Sequence, residues 1–307
     1  MDLHPNIRLV ARTELDHVKW DLCIDRAANG AIYAYTDYLD RMSAHWDGLV
    51  LNEYEMVMPL TWNRKYFIYY LYQPFFCAQL GIFGNGITAH ITEAFLKKIP
   101  SRYRYWDIYL NRDNFFEVEG FEMYKRSNYI LPLQPSYPEL YDRYAQSHRR
   151  NIRRALDSGN EVRRNPDFRE VIGLARAQAL RYSPIRAEDY RNFEWLLEKL
   201  KGRSLTEANG VYDRRGLLMA SAVWIFSHQR AYYILVGNHP DGRTSGASHL
   251  LIDHFIKAHA GENLTLDFEG SNRQSLAFFY RSFGASLELY PGLRLNRLPL
   301  LLRHFRE

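Results

Sequence analysis

The stretch RAYYILVGNHPDGRTSGASHLLIDHFIKA, residues 230–258, ends a strand-like run at Val236-Gly237 and enters an amphipathic helix through a loop bearing Arg243, Gly246 and Ser248. The first turn of a helix leaves N–H groups unpaired and carries partial positive charge, so this loop suits a phosphate. Gly246 would allow close backbone approach, Ala247 and Ser248 are small, and Arg243 would add charge at the rim. An ordinary loop with a serine helix cap is the competing reading. Downstream, Glu269 closes another strand-like run just before Gly270-Ser271. A carboxylate at a strand's carboxyl end often faces a crevice, where partial burial would raise its pKa toward that of a useful base. Its alternative is a capping role toward Ser271 and Asn272. Glu207 and His228, on or beside the central strands, are weaker candidates of the same kind. Arg149, Arg150, Arg153 and Arg154 form two repelling i,i+4 pairs on one helix. That crowding points either to a solvated face or to an anionic ligand: tRNA, a nucleotide-linked glycan precursor or a lipid headgroup.

These residues need elements to hold them. Helical spacing predicts helices over 32–42, 88–99 (with Thr88 as cap), 139–157, 167–181, 188–201, 247–259 and 273–283. Alternation predicts a hairpin over 48–60 turning at Asn52-Glu53, and strands over 65–72, 105–110, 121–125 and 129–133. Further strands are expected over 161–164, 205–212, 217–226, 231–236, 264–269, 287–289 and 293–295. The order of elements reads as α+β with a mixed sheet. The stretch LPLQPSYPELY, with Pro132, Pro135 and Pro138, reads as a linker, because proline fixes φ and removes a donor. It divides the chain into lobes 1–135 and 136–307. YWDIYLNRDN at 105–114 echoes TLDFEGSNRQ at 265–274, an offset of 160 residues, so one fold is expected twice.

With 307 residues, 47% hydrophobic and 24% charged, the chain has room for two domains and is not disordered. No apolar run approaches the ~20 residues that span a bilayer, and MDLHPNIRLV has no signal-peptide pattern. Cys23 and Cys77 cannot make a disulfide framework or a zinc site, so a reduced, soluble, cytoplasmic protein without a metal is expected. No nucleic-acid-binding signature is visible. The aromatic fraction, 15%, is the excess that composition leaves unexplained.

Arg243-Thr-Ser245-Gly246-Ala247-Ser248 resembles the [Gln/Arg]-x-x-Gly-x-[Gly/Ala] pyrophosphate loop of the GNAT acetyltransferases, with Ser248 at the sixth position. NRQSLAFFYRSFGA, from Asn272 to Ala285, resembles that family's N-x-x-A-x-x-L-Y-x-x-x-G-F helix, with Asn272 one residue further out and Ala285 in place of Phe. SHRRNIRRALDSGNEVRR at 147–164 is similar to a stretch of the FemABX-like aminoacyltransferases, and DFEGSNRQSLAFFYRSFGAS at 267–286 to the closing segment of two-lobed FemAB-related proteins. The resemblance implies tandem GNAT-type (acyl-CoA N-acyltransferase) lobes, each with a mixed, mostly antiparallel sheet flanked by helices, the first degenerate and the second carrying the donor loop. It implies N-acyl transfer from a thioester or ester donor to an amine. Acetyl-CoA or another acyl-CoA would be the donor, with aminoacyl-tRNA as the variant; no long helical hairpin of the FemABX kind is visible. The backbone of Leu235, Val236 and Gly237 would face the acyl oxygen, Asn272 would contact pantetheine, Tyr280 would be the acid and Glu269 the base. The acceptor implied is a small molecule or a cell-wall precursor bearing an amine. A non-catalytic scaffold that kept the fold is the alternative.

Overall fold

The structure is a computed structural model describing residues 5–179, 185–270 and 272–299. In chain order the first half carries β1 (Ile7–Val10), α1 (His17–Arg26), α2 (Thr36–Met42), β2 (His45–Leu51), β3 (Met56–Lys65), β4 (Ile68–Tyr72), β5 (Phe83–Gly84), α3 (Ala89–Lys98), β6 (Tyr103–Tyr109) and β7 (Glu122–Pro132). The second carries α4 (Tyr137–Asp142), α5 (Gln146–Asp157), β8 (Glu161–Arg164), α6 (Phe168–Ala179), α7 (Ala187–Lys201), β9 (Thr206–Tyr212), β10 (Leu218–Ser227) and β11 (Arg230–Asn238). It closes with α8 (Pro240–Ser245), α9 (Ala247–His259), β12 (Thr265–Asp267), α10 (Gln274–Arg281) and β13 (Ser286–Asn296).

The chain forms two compact units, residues 1–126 with 289–307, and residues 127–288. In the first unit, β1, β2, β3 and β4 run antiparallel in order. Helix α3 then carries the chain to β6, which lies parallel to β4, with Tyr69 opposite Tyr103. The Leu289–Asn296 part of β13 adds the sixth strand, antiparallel to β6. Apolar residues from alternate strand positions and from α3 make its core, with Met58, Phe95, Tyr103 and Trp106 buried. Thr88 caps α3 by accepting the N–H of Ile91 at 3.3 Å.

The second unit repeats the pattern. Strands β8, β9, β10 and β11 are antiparallel neighbours. Helix α9 crosses to β12, parallel to β11. The sixth strand is the Ser127–Pro132 part of β7, antiparallel to β12. The expected echo is therefore a shared topology: four antiparallel strands, a helical crossover, a parallel fifth strand and an antiparallel sixth. In each unit the sixth strand comes from the segment that follows the other unit's fifth.

That exchange moves the boundary. The proline-rich stretch expected to divide the chain at 135/136 lies wholly inside the second unit; Pro132 ends β7 opposite Thr265, and the chain divides at 126/127 instead. The C-terminal strand rejoins the first unit because its hydrogen-bonding partner is β6. Two pairs of expected strands, 121–125 with 129–133 and 287–289 with 293–295, are single long strands. The single helix expected over 139–157 is α4 and α5, broken where the Ala145 N–H donates to the Ser282 carbonyl at 2.8 Å. Residues 32–34 form a turn of 3-10 helix ahead of α2 rather than one continuous helix. The expected helix end at Arg181 lies outside the described residues.

Candidate acyl-transfer site

In the second unit β11 pairs with β10 along its whole length, from Ser227↔Arg230 to Ala220↔Asn238. On its other side it meets β12 only over Arg230, Ala231 and Tyr232. Beyond Tyr232 the two strands part, which leaves the edge of β11 from Tyr233 to Asn238 without a strand neighbour among the described residues. Leu235, Val236 and Gly237 lie on this edge. One face of Gly237 is closed by α6: a Cβ there would sit 2.8 Å from the Ala175 nitrogen, so only glycine fits. The Asn238 N–H donates to Gln178 Oε1 at 2.6 Å.

Two groups expected to do chemistry lie at the end where the strands part. Glu269 follows β12 with φ +58°, and Gly270 follows with φ +84°. A non-glycine residue in this left-handed region is held there at some cost. The holding contact is visible: the Glu269 N–H donates to Asp267 Oδ1 at 2.8 Å. Asp267 is itself fixed by Arg230, 2.6 Å away, and by Asn128, which donates at 3.0 Å. Tyr280, on α10, is buried with its ring stacked on Phe268 at 4.4 Å and near Tyr129 at 6.2 Å. Burial and the carboxylate of Glu269 both push its phenol well above the usual tyrosine value, so it holds its proton at neutral pH.

The expected phosphate loop has a different form. Residues 240–245 are the short helix α8, started by His239 as cap with Pro240 at its first position, and Gly246 ends it at φ +84° before α9 begins. Gly246 and Ala247 are buried. A Cβ on Gly246 would lie 2.3 Å from the Asn151 carbonyl oxygen of α5, so this glycine serves helix packing. Ser245 donates to the Gly242 carbonyl at 3.2 Å, and Ser248 donates to the side-chain oxygen of Asn238. The Arg243 side chain lies outside what the structure describes, as does Ser271. The Gly246 N–H is taken by the Gly242 carbonyl, so this backbone group is not open to a CoA diphosphate in the way the resemblance implies. Asn272 is exposed, and its side-chain oxygen accepts the Ser127 N–H at 3.0 Å.

The basic helix is α5. Arg149 folds back to the Asp142 carbonyl at 2.6 Å and over the Tyr141 ring, whereas Arg150 and Arg153 are exposed; Arg154, exposed too, reaches the Thr244 carbonyl at 3.4 Å. Glu207 is buried between His259 Nε2 at 3.1 Å and Asn209 Nδ2 at 2.8 Å, with Arg164 at 3.3 Å. Those partners hold its carboxyl below the usual range despite burial, which makes it a poor base. His228 is a turn residue at φ +50° between β10 and β11.

Sequence reasoning missed three contributors. Arg230 and Asp267 meet only through parallel pairing of strands 37 residues apart, a relation no local pattern carries. The third is a histidine pair beside the loop: His148 on α5 donates through Nε2 to the Phe279 carbonyl at 3.0 Å, and Asn151 donates to His249 Nε2 at 3.1 Å. Their rings lie 4.5 Å apart, edge to face. Burial, together with His148 and Arg154, lowers the His249 pKa to about 4. The unfolded chain therefore takes up this proton first, so the contribution is complete above pH ~6.5 and is lost as the pH falls through about 4. A lowering of this size corresponds to roughly 3 kcal/mol. Urea unfolding of His249→Gln at pH 4 to 7 is expected to show a shallower loss of stability on acidification than the parent chain.

Among the described residues no group of three or more His, Cys, Asp or Glu could hold a metal ion, and no helix is long and apolar enough to cross a membrane. Cys23 and Cys77 are buried and not joined in a disulfide, and burial pushes the Cys23 thiol up to about 11.

Residues 143–274 match the family profile described as an acetyltransferase (GNAT) domain, a span inside the second unit that holds the β11–α9 crossover and Glu269. No curated protein matches the sequence. Among solved structures, FemX is similar in fold at TM-score 0.63 and 14% identity, covering 92% of this chain and 96% of that one. A conserved protein of unknown function from Bacteroides thetaiotaomicron is similar at TM-score 0.60 and 12% identity, with 95% and 99% covered. L-PGS from Bacillus licheniformis is similar at TM-score 0.57 and 10% identity, with 94% and 95% covered. Residues 143–274 thus carry a GNAT-type acetyltransferase domain, and the chain as a whole is similar in fold to FemX and L-PGS.

Proposed function

We propose that the second unit transfers an acyl or aminoacyl group from an activated ester donor to an amine acceptor at the parting of β11 and β12. The observation that carries this reading is the unpaired edge of β11 beyond Tyr232, bordered by the Asp267-anchored turn at Glu269 and by the Tyr280 ring. An open strand edge offers backbone N–H groups to a carbonyl oxygen as it gains negative charge. Glu269 takes the proton of the attacking amine, the new C–N bond forms, and the bond to the leaving oxygen or sulfur breaks. Tyr280, kept protonated by burial, supplies the proton that the leaving group needs.

The close packing of Gly246 against α5, with its N–H taken by the Gly242 carbonyl, favours aminoacyl-tRNA over acyl-CoA as donor. Exposed Arg150 and Arg153 on the same helix supply charge for a phosphate backbone. A small molecule or a cell-wall precursor bearing a free amine fits as acceptor.

The test uses the full chain with aminoacyl-tRNA and with acyl-CoA, following donor consumption over a panel of amine acceptors. Glu269→Gln and Tyr280→Phe are each expected to slow turnover by about 100-fold or more while donor binding is retained. Full activity in both variants removes these roles, and turnover with acyl-CoA alone overturns the donor assignment.

A further inference from the structure

In the first unit, β3 and β4 are joined by a two-residue turn, because Lys65 pairs directly with Ile68. The turn residues are Tyr66 and Phe67, with φ of +48° and +66°. A turn with two positive φ values normally takes Asn-Gly or a similar pair. Bulky aromatic residues are costly there, and both are left almost wholly in water, at 83% and 88% exposure. Neither ring serves the core, so folding alone does not account for them.

Their neighbours are cationic. Arg64 lies over the rings of Phe67 and Tyr69 at 5.9 and 5.7 Å, and Lys65 lies 5.5 Å over Tyr66. Both positive charges are thus gathered at the tip by the same rings that face solvent. The chain carries no Asp or Glu between Glu55 and Glu93, so the hairpin has no acid of its own. Asp47 on the adjoining β2 is already engaged by Arg102, Trp62 and Tyr103.

We propose that this hairpin tip docks on the anionic headgroup surface of a phospholipid membrane. Aromatic rings sit well at the boundary between headgroups and acyl chains, and Arg and Lys beside them meet the negative surface. Two rings of ~150–250 Å² each fall short of the ~800 Å² per partner of a stable protein interface, whose centre is moreover poor in charge. The contact is reversible and peripheral, and it is independent of the acyl-transfer reading.

Co-sedimentation of the full chain with vesicles tests it, comparing pure phosphatidylcholine with equal parts phosphatidylcholine and phosphatidylglycerol. Binding to the anionic vesicles is expected to be about 10–30-fold tighter than to the neutral ones. Arg64→Gln with Lys65→Gln should remove most of that preference. Tyr66→Asn with Phe67→Gly should weaken anionic-vesicle binding at least tenfold while its melting temperature is equal or higher, since Asn-Gly suits the turn. Failure of the parent chain to bind, or equal binding by the Tyr66/Phe67 variant, overturns the proposal. So does retention of tRNA through this tip without vesicle binding, which would make the rings a base-stacking platform.

Discussion

Replacing Arg230 with alanine is expected to lower the unfolding free energy by roughly 3–5 kcal/mol, the usual result of removing one partner from a buried ion network. The guanidinium lies 2.6 Å from Asp267 and 2.7 Å from Glu288, and Asn128 donates to both carboxylates at 3.0 and 3.2 Å. Without it, buried Asp267 and half-buried Glu288 lose the positive charge set between them. Asp267 is already raised by burial with the arginine present, so removal drives it further up. The stability a raised acid lends is full below its unfolded pKa and is lost as the pH rises through its folded one, so the deficit of the variant is greatest near neutrality and shrinks as the pH falls toward ~4. Denaturant titrations at two pH values check this. Adding Asp267→Asn and Glu288→Gln to Arg230→Ala should recover part of the loss, because the uncompensated charges are then gone. Since Asp267 also holds the Glu269 N–H, Arg230→Ala should slow transfer more than a stability deficit explains.

Gly246→Ala is expected to cost about 2–5 kcal/mol, through two separate causes. The position has φ +84°, which an L side chain adopts poorly, and its Cβ would lie 2.3 Å from the Asn151 carbonyl oxygen. That oxygen belongs to helix backbone and cannot swing aside, so α5 must move away from α9 or the turn must open. The lower urea midpoint of purified Gly246→Ala would measure it. Gly261→Ala provides the contrast: its φ is +86°, but nothing lies within 4 Å of the added carbon, so only the backbone cost remains.

The sequence makes some elements legible and hides others for identifiable reasons. Glu161–Arg164 and Ala247–His259 have the bounds that alternation and helical spacing predict, and Thr88 caps its helix as expected. The loop over 237–246 hid a short helix, although His239-Pro240 is a recognisable helix start and Gly246 a recognisable stop. Pro132 looked like a linker residue, yet it ends a strand, where lacking an N–H does little harm. Tyr280 is singled out by its resemblance to a family motif, and Glu269 by its place at the end of a strand. The Arg230–Asp267–Glu288 network could not, because it depends on strands brought together from distant parts of the chain. The aromatic excess divides between core rings such as Tyr103 and Trp106 and the solvent-facing pair at 66–67, which periodicity alone does not separate.

The exchange of sixth strands has a consequence for synthesis on the ribosome. The first unit emerges first, but β6 must wait for its partner at Gly292, opposite Tyr109 and 183 residues further along. At ~5–20 residues per second the wait is about 10–35 s. For that interval the nascent chain presents an unpaired strand edge, a template for joining a neighbouring chain on the same message. Emergence of β13, rather than completion of the first half, is the moment at which the first unit gains its sixth strand.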